Sequence, residues 1–191
     1  MGRKSRTKKE TKETTNKEVP QAKLPAAPSP FLRITLIFAV LVLVFEVIAE
    51  KVIDWTTLQL ATASLTTIIL QSTGLQVVTD GIHMVVPNAR WEIIAECTAI
   101  RSQLVFLAFI LAYPAPLKAR ALAVGAGIPF LFVANILRLV GLGWLTAINP
   151  TLAAYGHDFV WQVGFLFLVI CMWLVWIEWM TNGRGKSLLP S

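Results

Sequence analysis

Four stretches of the chain are apolar over enough residues to cross a bilayer as helices, which takes roughly 20 residues each. They run from Phe31 to about Ala49, from near Cys97 to Tyr113, from about Ala121 to Leu145 and from about Phe159 to Met180. Arg33 and Glu46 are the only charges in the first, and Pro114 and Pro116 stop the second. Gly125, Gly127 and Pro129 inside the third point to close helix packing and a kink. Between the first two lies Trp55 to Ser72, Thr-rich and only moderately apolar, which reads as an amphipathic helix on or dipping into the outer interface. Gly74 ends it, and LQVVTDG, IHMVV and RWEIIAE follow as short strands around turns at Asp80-Gly81 and Pro87-Asn88. The pattern predicts an all-α polytopic membrane protein of about four transmembrane helices, with a small external cap made of the amphipathic helix and a short hairpin.

Composition agrees. Of 191 residues, 55% are hydrophobic and 15% charged, and the mean hydropathy is +0.65. This is too apolar for an ordinary soluble domain. The net charge of +6 is unevenly spread, with +5 in residues 1–30 and +1 in the remainder. Residues 1–30 lack apolar periodicity and read as a disordered basic cytoplasmic tail, not as a folded nucleic-acid-binding patch or a signal peptide. Residues 31–180 form the membrane-embedded domain, and 181–191 a second cytoplasmic tail.

Loop charges set the expected topology. Lys118 and Arg120 precede the third span, and Arg184 and Lys186 follow the fourth. With the basic tail and these loops all cytoplasmic, the chain crosses an even number of times. Both termini are then cytoplasmic, and residues 50–96 and 146–158 lie outside a cytoplasmic (inner) membrane.

Polar residues are costly in such a chain, so their positions are informative. Cys97 and Arg101, at i and i+4, would share a helical face, where a guanidinium favours thiolate over thiol. The competing reading is a buried structural cysteine beside a snorkelling arginine. Asn135 and Arg138, at i and i+3, share a face of the third span, with Arg138 set about 10 Å below that span's outer end. The competing reading ties Arg138 to Glu46 or Asp158. His157 precedes the fourth span on the same side as Cys97 and is a candidate general acid/base for a thiol. His83, in the hairpin, is its competitor, and Cys171 reads as packing in the last span. No Cys-x-x-Cys pair or Cys/His cluster suggests a metal site, and no cofactor is expected.

The order Cys-x-x-x-Arg-Ser at a span entrance, Asn-x-x-Arg in the next span and His before the last resembles the exosortase/archaeosortase family, in a compact form close to the exosortase H type. The matching segments are ECTAIRSQLVFLAFILAYP, IPFLFVANILRLVGL and the loop ending AAYGHDF, across roughly Val77 to Trp179. One departure is Ala99, where the family usually has glycine two residues after the cysteine. The resemblance implies a membrane-embedded cysteine protease/transpeptidase. Its partners would be membrane-anchored protein substrates whose C-terminal sorting signals comprise a short motif, a hydrophobic span and a basic cluster. By position, Cys97 would be the nucleophile, Arg138 the transition-state stabiliser and His157 the acid/base, with Arg101 and Asn135 auxiliary. Two other classes stand beside it. A non-enzymatic membrane assembly or transport subunit would tolerate loss of the Cys97 thiol. A thiol-redox protein lacks a resolving cysteine placed near Cys97.

Overall fold

The structure, a computed structural model, describes residues 29–156 and 161–182, with the side chains of residues 161 and 162 left out. Helix α1 (Pro30–Lys51) begins at Ser29, whose hydroxyl accepts from the Leu32 amide, with proline in the first turn. It is followed by α2 (Thr56–Ser72) and by strands β1 (Val78–Asp80), β2 (His83–Val86) and β3 (Ala89–Glu92). A 3-10 turn at Ala95–Thr98 leads into α3 (Ile100–Ala112). Helices α4 (Leu117–Ile148), α5 (Pro150–Tyr155) and α6 (Trp161–Thr181) complete the chain.

The chain is a mostly helical polytopic membrane protein with a small sheet. Among the described residues three helices are long and apolar enough to cross a membrane: α1, α4 and residues Val163–Thr181 of α6. The expected second span, from near Cys97 to Tyr113, is shorter than the sequence indicated. Its helix, α3, has 13 residues and is about 20 Å long. Two local features trim it. Ala99 adopts a left-handed conformation (φ 61°) that breaks the helix after the 3-10 turn, and Tyr113 is extended before Pro114.

Packing explains how so short a helix belongs in the bundle. A short connection makes α3 and α4 an antiparallel pair. Gly127 lies where an added Cβ would come 2.5 Å from the Phe106 ring, and buried Gln103 donates to the Ile128 carbonyl (3.3 Å). One level further along, the Asn135 amide meets the Cys97 carbonyl. Cys97 therefore stands 18 residues along α4 from Leu117, a rise of about 27 Å, close to the ~30 Å of a hydrocarbon core. Beyond Asn135, α4 continues for 13 residues to Ile148 and carries the rest of the fold.

Two cores result. Phe106, Ile110, Leu131, Phe165, Val169 and Trp176 pack α3, α4 and α6 together. Phe109 stacks on Trp173 at 4.3 Å, and Phe38 of α1 meets both rings edge-on. The second core joins α2, the sheet and the projecting end of α4 through Leu70, Met84, Val86 and Ile93. Cys97 belongs to this second core and Ala99 to the first, so the 3-10 turn marks the seam.

The cap largely follows expectation. The sheet is antiparallel with order β1-β2-β3, and Asp80 pairs with His83 and Val86 with Ala89. The tight turns fall at Gly81 (φ 61°) and Asn88 (φ 68°), residue types that tolerate left-handed backbone. Helix α2 forms as expected but presents its faces differently. Its threonines Thr62, Thr66 and Thr67 are buried, while Leu60, Leu65 and Ile68 are exposed. Small hydroxyl side chains let α2 approach α4, where Leu70 fills the space beside Gly143 and the Trp144 indole donates to Thr73 (3.1 Å). The polar face thus meets protein, not water.

Candidate functional site

Cys97 is held by local geometry. Its amide donates to the Ile94 carbonyl (2.9 Å) and closes the 3-10 turn, while the neighbouring Thr98 hydroxyl bonds the Ala95 carbonyl (2.7 Å). Position 99 must then adopt positive φ to redirect the chain into α3, which explains a preference for glycine there. Ala99 is 5% exposed and holds that conformation with a Cβ, at a cost of roughly 1–2 kcal/mol.

From α4, Asn135 and Arg138 approach the same point. Asn135 is wholly buried. Its Nδ2 donates to the Cys97 carbonyl (2.6 Å), and its Oδ1 accepts from Arg138 Nη1 (3.3 Å). The two partners fix the amide's orientation and link Arg138 to the cysteine backbone. The guanidinium lies 5.8 Å from the Phe165 ring centroid, and its Nε is buried without a hydrogen-bond partner among the described residues. Among the described residues no carboxylate pairs with Arg138. Of the two acids in the competing reading, Glu46 pairs with Arg101 instead, and Asp158 lies outside the described residues. Arg138 lies deeper than the ~10 Å expected, since α4 runs ten residues past it, about 15 Å.

Arg101 is placed differently from the expectation. The break at Ala99 removes the shared helical face with Cys97, and the guanidinium turns toward Glu96 (3.0 Å), Glu50 (3.5 Å) and Glu46 (3.8 Å). Two of these acids belong to α1, so Arg101 fastens α3 to its neighbour. His157 and Asp158 lie outside the described residues. His83 is in β2, paired across the sheet with Glu92 and Asp80. Cys171 is half-buried on α6.

Cys97 itself is 8% exposed and opens into a cleft of about 380 Å³. Trp91, Glu92 and Ile93 form one wall, while Leu142 and Thr146 of α4 and Ala153 of α5 form the other. The walls of this cleft and the role of Asn135 as a bridge were not legible in the sequence. The only local signal was that a strand runs directly into the cysteine.

Burial pushes the Cys97 thiol up from its ordinary value. A backbone hydrogen bond at Ile94 and the Arg138 cation draw it back, and Glu96 pushes it up again. The net direction is upward, so the resting group is a thiol in need of a base, beside a cation that would favour the anion. Among the described residues no cluster of His, Cys, Asp or Glu could hold a metal ion.

No curated protein and no solved structure matches the chain. The sequence model of the transmembrane exosortases matches residues 30–177, well over half of its length and inclusive of the 3-10 turn, the Asn-x-x-Arg segment and the cleft. By that match, this integral membrane protein belongs to the transmembrane exosortase family.

Proposed function

We propose that the protein is a membrane-embedded cysteine protease/transpeptidase. It would cleave C-terminal sorting signals at the outer face of the membrane and transfer the product wherever an acceptor nucleophile replaces water. The observation that carries this reading is the convergence of a cleft-lining thiol with an arginine whose partners among the described residues are neutral and leave a buried donor unoccupied.

In this mechanism Cys97 Sγ attacks the scissile carbonyl carbon. Because burial holds the thiol neutral, its proton has to be taken as the bond forms, and His157 is the base assigned to that step. The carbonyl oxygen gains charge as it becomes tetrahedral, and Arg138 donates to it. His157 then returns the proton to the leaving amine, and the C–N bond breaks to leave a thioester on Cys97. Water or an amine acceptor attacks the thioester and releases the thiol. Asn135 is a positioning residue in this scheme, because it holds Arg138 and the Cys97 backbone in register. Arg101 acts at one remove, by holding α3 against α1.

The proposed orientation places both termini in the cytoplasm and the cleft outside. The rise of about 27 Å between Leu117 and Asn135 supports it, since Lys118 and Arg120 then lie at one membrane surface and Cys97 near the other. The test is conversion of a substrate bearing a C-terminal signal, by membranes holding wild-type chain or Cys97→Ala at matched abundance. Conversion should vanish in Cys97→Ala and persist in Cys171→Ala. Normal conversion by Cys97→Ala would instead favour a non-enzymatic assembly or transport subunit.

A further inference from the structure

Strand β3 is an edge strand. Its one partner among the described residues is β2, and its other side faces away from the sheet. Antiparallel ladders alternate, so every second residue turns its amide and carbonyl outward. The register identifies which. The Ile93 amide donates inward to the Ile82 carbonyl (2.9 Å), so Ile93, Trp91 and Ala89 face β2, whereas Arg90 and Glu92 point their main-chain groups outward. The Glu92 carbonyl accepts from the Ile94 amide (3.2 Å), which turns the chain away and ends the edge. The Arg90 carbonyl and the Glu92 amide are left as an acceptor and a donor on one side of the strand.

This edge runs into the site. Ala89 and Trp91 to Ile94 line the cleft, and so does Cys97, five residues after Glu92; Arg90 lies between them on the strand and contributes its outward carbonyl. At about 380 Å³ the cleft is within the size range of small-ligand pockets and accommodates a short peptide segment. Its walls are mostly apolar, with Ile93 facing Leu139, Leu142 and Ala153.

We propose that the free edge of β3 is the substrate-docking site: an extended peptide segment with small apolar side chains adds to it as a parallel strand and delivers its C-terminal carbonyl to Cys97. The proposal rests on Cys97 being the nucleophile, and it names the conformation and chemistry of what Cys97 attacks. The parallel direction follows from geometry. Strand β3 runs toward the cysteine, so a peptide whose upstream residues lie along it must run the same way. In parallel pairing a single peptide residue, opposite Trp91, donates its N–H to the Arg90 carbonyl and accepts from the Glu92 amide. The flanking peptide residues point their N–H groups away.

The test uses acetyl-Val-Ala-Ala chloromethyl ketone on membranes holding the full chain. The Cys97 thiolate displaces chloride, and the adduct is read by mass on the fragment that contains Cys97. A series of reagents is N-methylated at one amide each. Strand addition predicts alternation: methylation at the amide bonded to Arg90 slows labelling by about tenfold, the worth of one hydrogen bond, and methylation at its neighbour has little effect. Glu92→Pro should slow the unmethylated reagent more than Glu92→Ala does, because proline removes the outward amide and leaves the ladder to β2 intact. Iodoacetamide, which needs no edge, should label Cys97 equally in both variants. Equal sensitivity at every amide, or none, overturns the proposal. So does a peptide reagent that fails where iodoacetamide succeeds, which would mean that residues 1–28 or a second copy cover the edge. Labelling does not require conversion of any natural substrate, so failure of the cysteine-protease reading appears separately, in the Cys97→Ala comparison.

Discussion

Arg101 and Arg138 stand on neighbouring helices in opposite electrostatic situations. Arg101, on the flank where α3 meets α1, is about half exposed and faces three carboxylates within 3.8 Å. Arg138, at the seam of the two cores, has among the described residues a neutral amide, an aromatic face and one donor without a partner. A cation neutralised by fixed acids fastens helices together and has little field left over. A cation with only neutral partners keeps both its field and its donors for a negative charge that appears transiently, and it is costly to maintain unless that charge matters. The lesson is that intramembrane arginines should be judged by their partners and not by their depth alone.

The comparison is sharpest at Arg138. Arg138→Lys keeps the charge but lacks the planar fork of donors, so conversion should fall by about 10²–10³ while membrane abundance stays normal. In Arg138→Gln, alkylation of Cys97 by iodoacetamide should move to higher pH. The cation favours thiolate and burial favours thiol, so removing the cation adds to the upward shift. An unchanged alkylation profile would separate Arg138 from the thiol and break the comparison.

Asn135→Ala tests the link between the two. It strands the buried Cys97 carbonyl and frees Arg138, so thermal unfolding in detergent should show a loss of about 1–3 kcal/mol. Conversion per folded molecule should also drop, by about tenfold, the worth of one positioning hydrogen bond. A pure stability loss with full conversion per folded molecule would leave Asn135 a structural residue.

The smallest effect belongs to Arg101. Arg101→Gln removes half-exposed ion pairs of modest worth, so stability should fall by about 1 kcal/mol or less and become less sensitive to salt. Conversion per folded molecule should stay within about threefold of wild type, as expected of a residue away from the chemistry. A loss matching that of Arg138→Lys would show that the two arginines act alike.

Much of this architecture was legible in sequence because it depends on local chemistry. Continuous apolar runs marked α1, α4 and α6. Asp80-Gly81 and Pro87-Asn88 marked both tight turns, since few residue pairs tolerate that backbone. The i, i+3 spacing placed Asn135 and Arg138 on one face, and their hydrogen bond agrees with it. The i, i+4 spacing of Cys97 and Arg101 misled, because it presumed a helix that Ala99 interrupts. Helix α2 is a different case. It reads as an amphipathic helix at the interface, and the sequence does not say which face is covered; Thr62, Thr66 and Thr67 are the buried ones.

Hydropathy and turn chemistry are properties of short segments, so the membrane class, the cap and the order of the polar motifs follow from the chain read in one dimension. Partnership is not such a property. Glu46 is 55 residues from Arg101 and 92 from Arg138, and nothing in those separations says which arginine it neutralises. Only the packing of α1 along α3 assigns it to Arg101, and only the α3–α4 pairing brings Asn135 to the Cys97 carbonyl. Long-range contacts are selected by how whole helix faces fit together, and among the described residues that selection gives Arg101 three carboxylates and Arg138 only neutral partners.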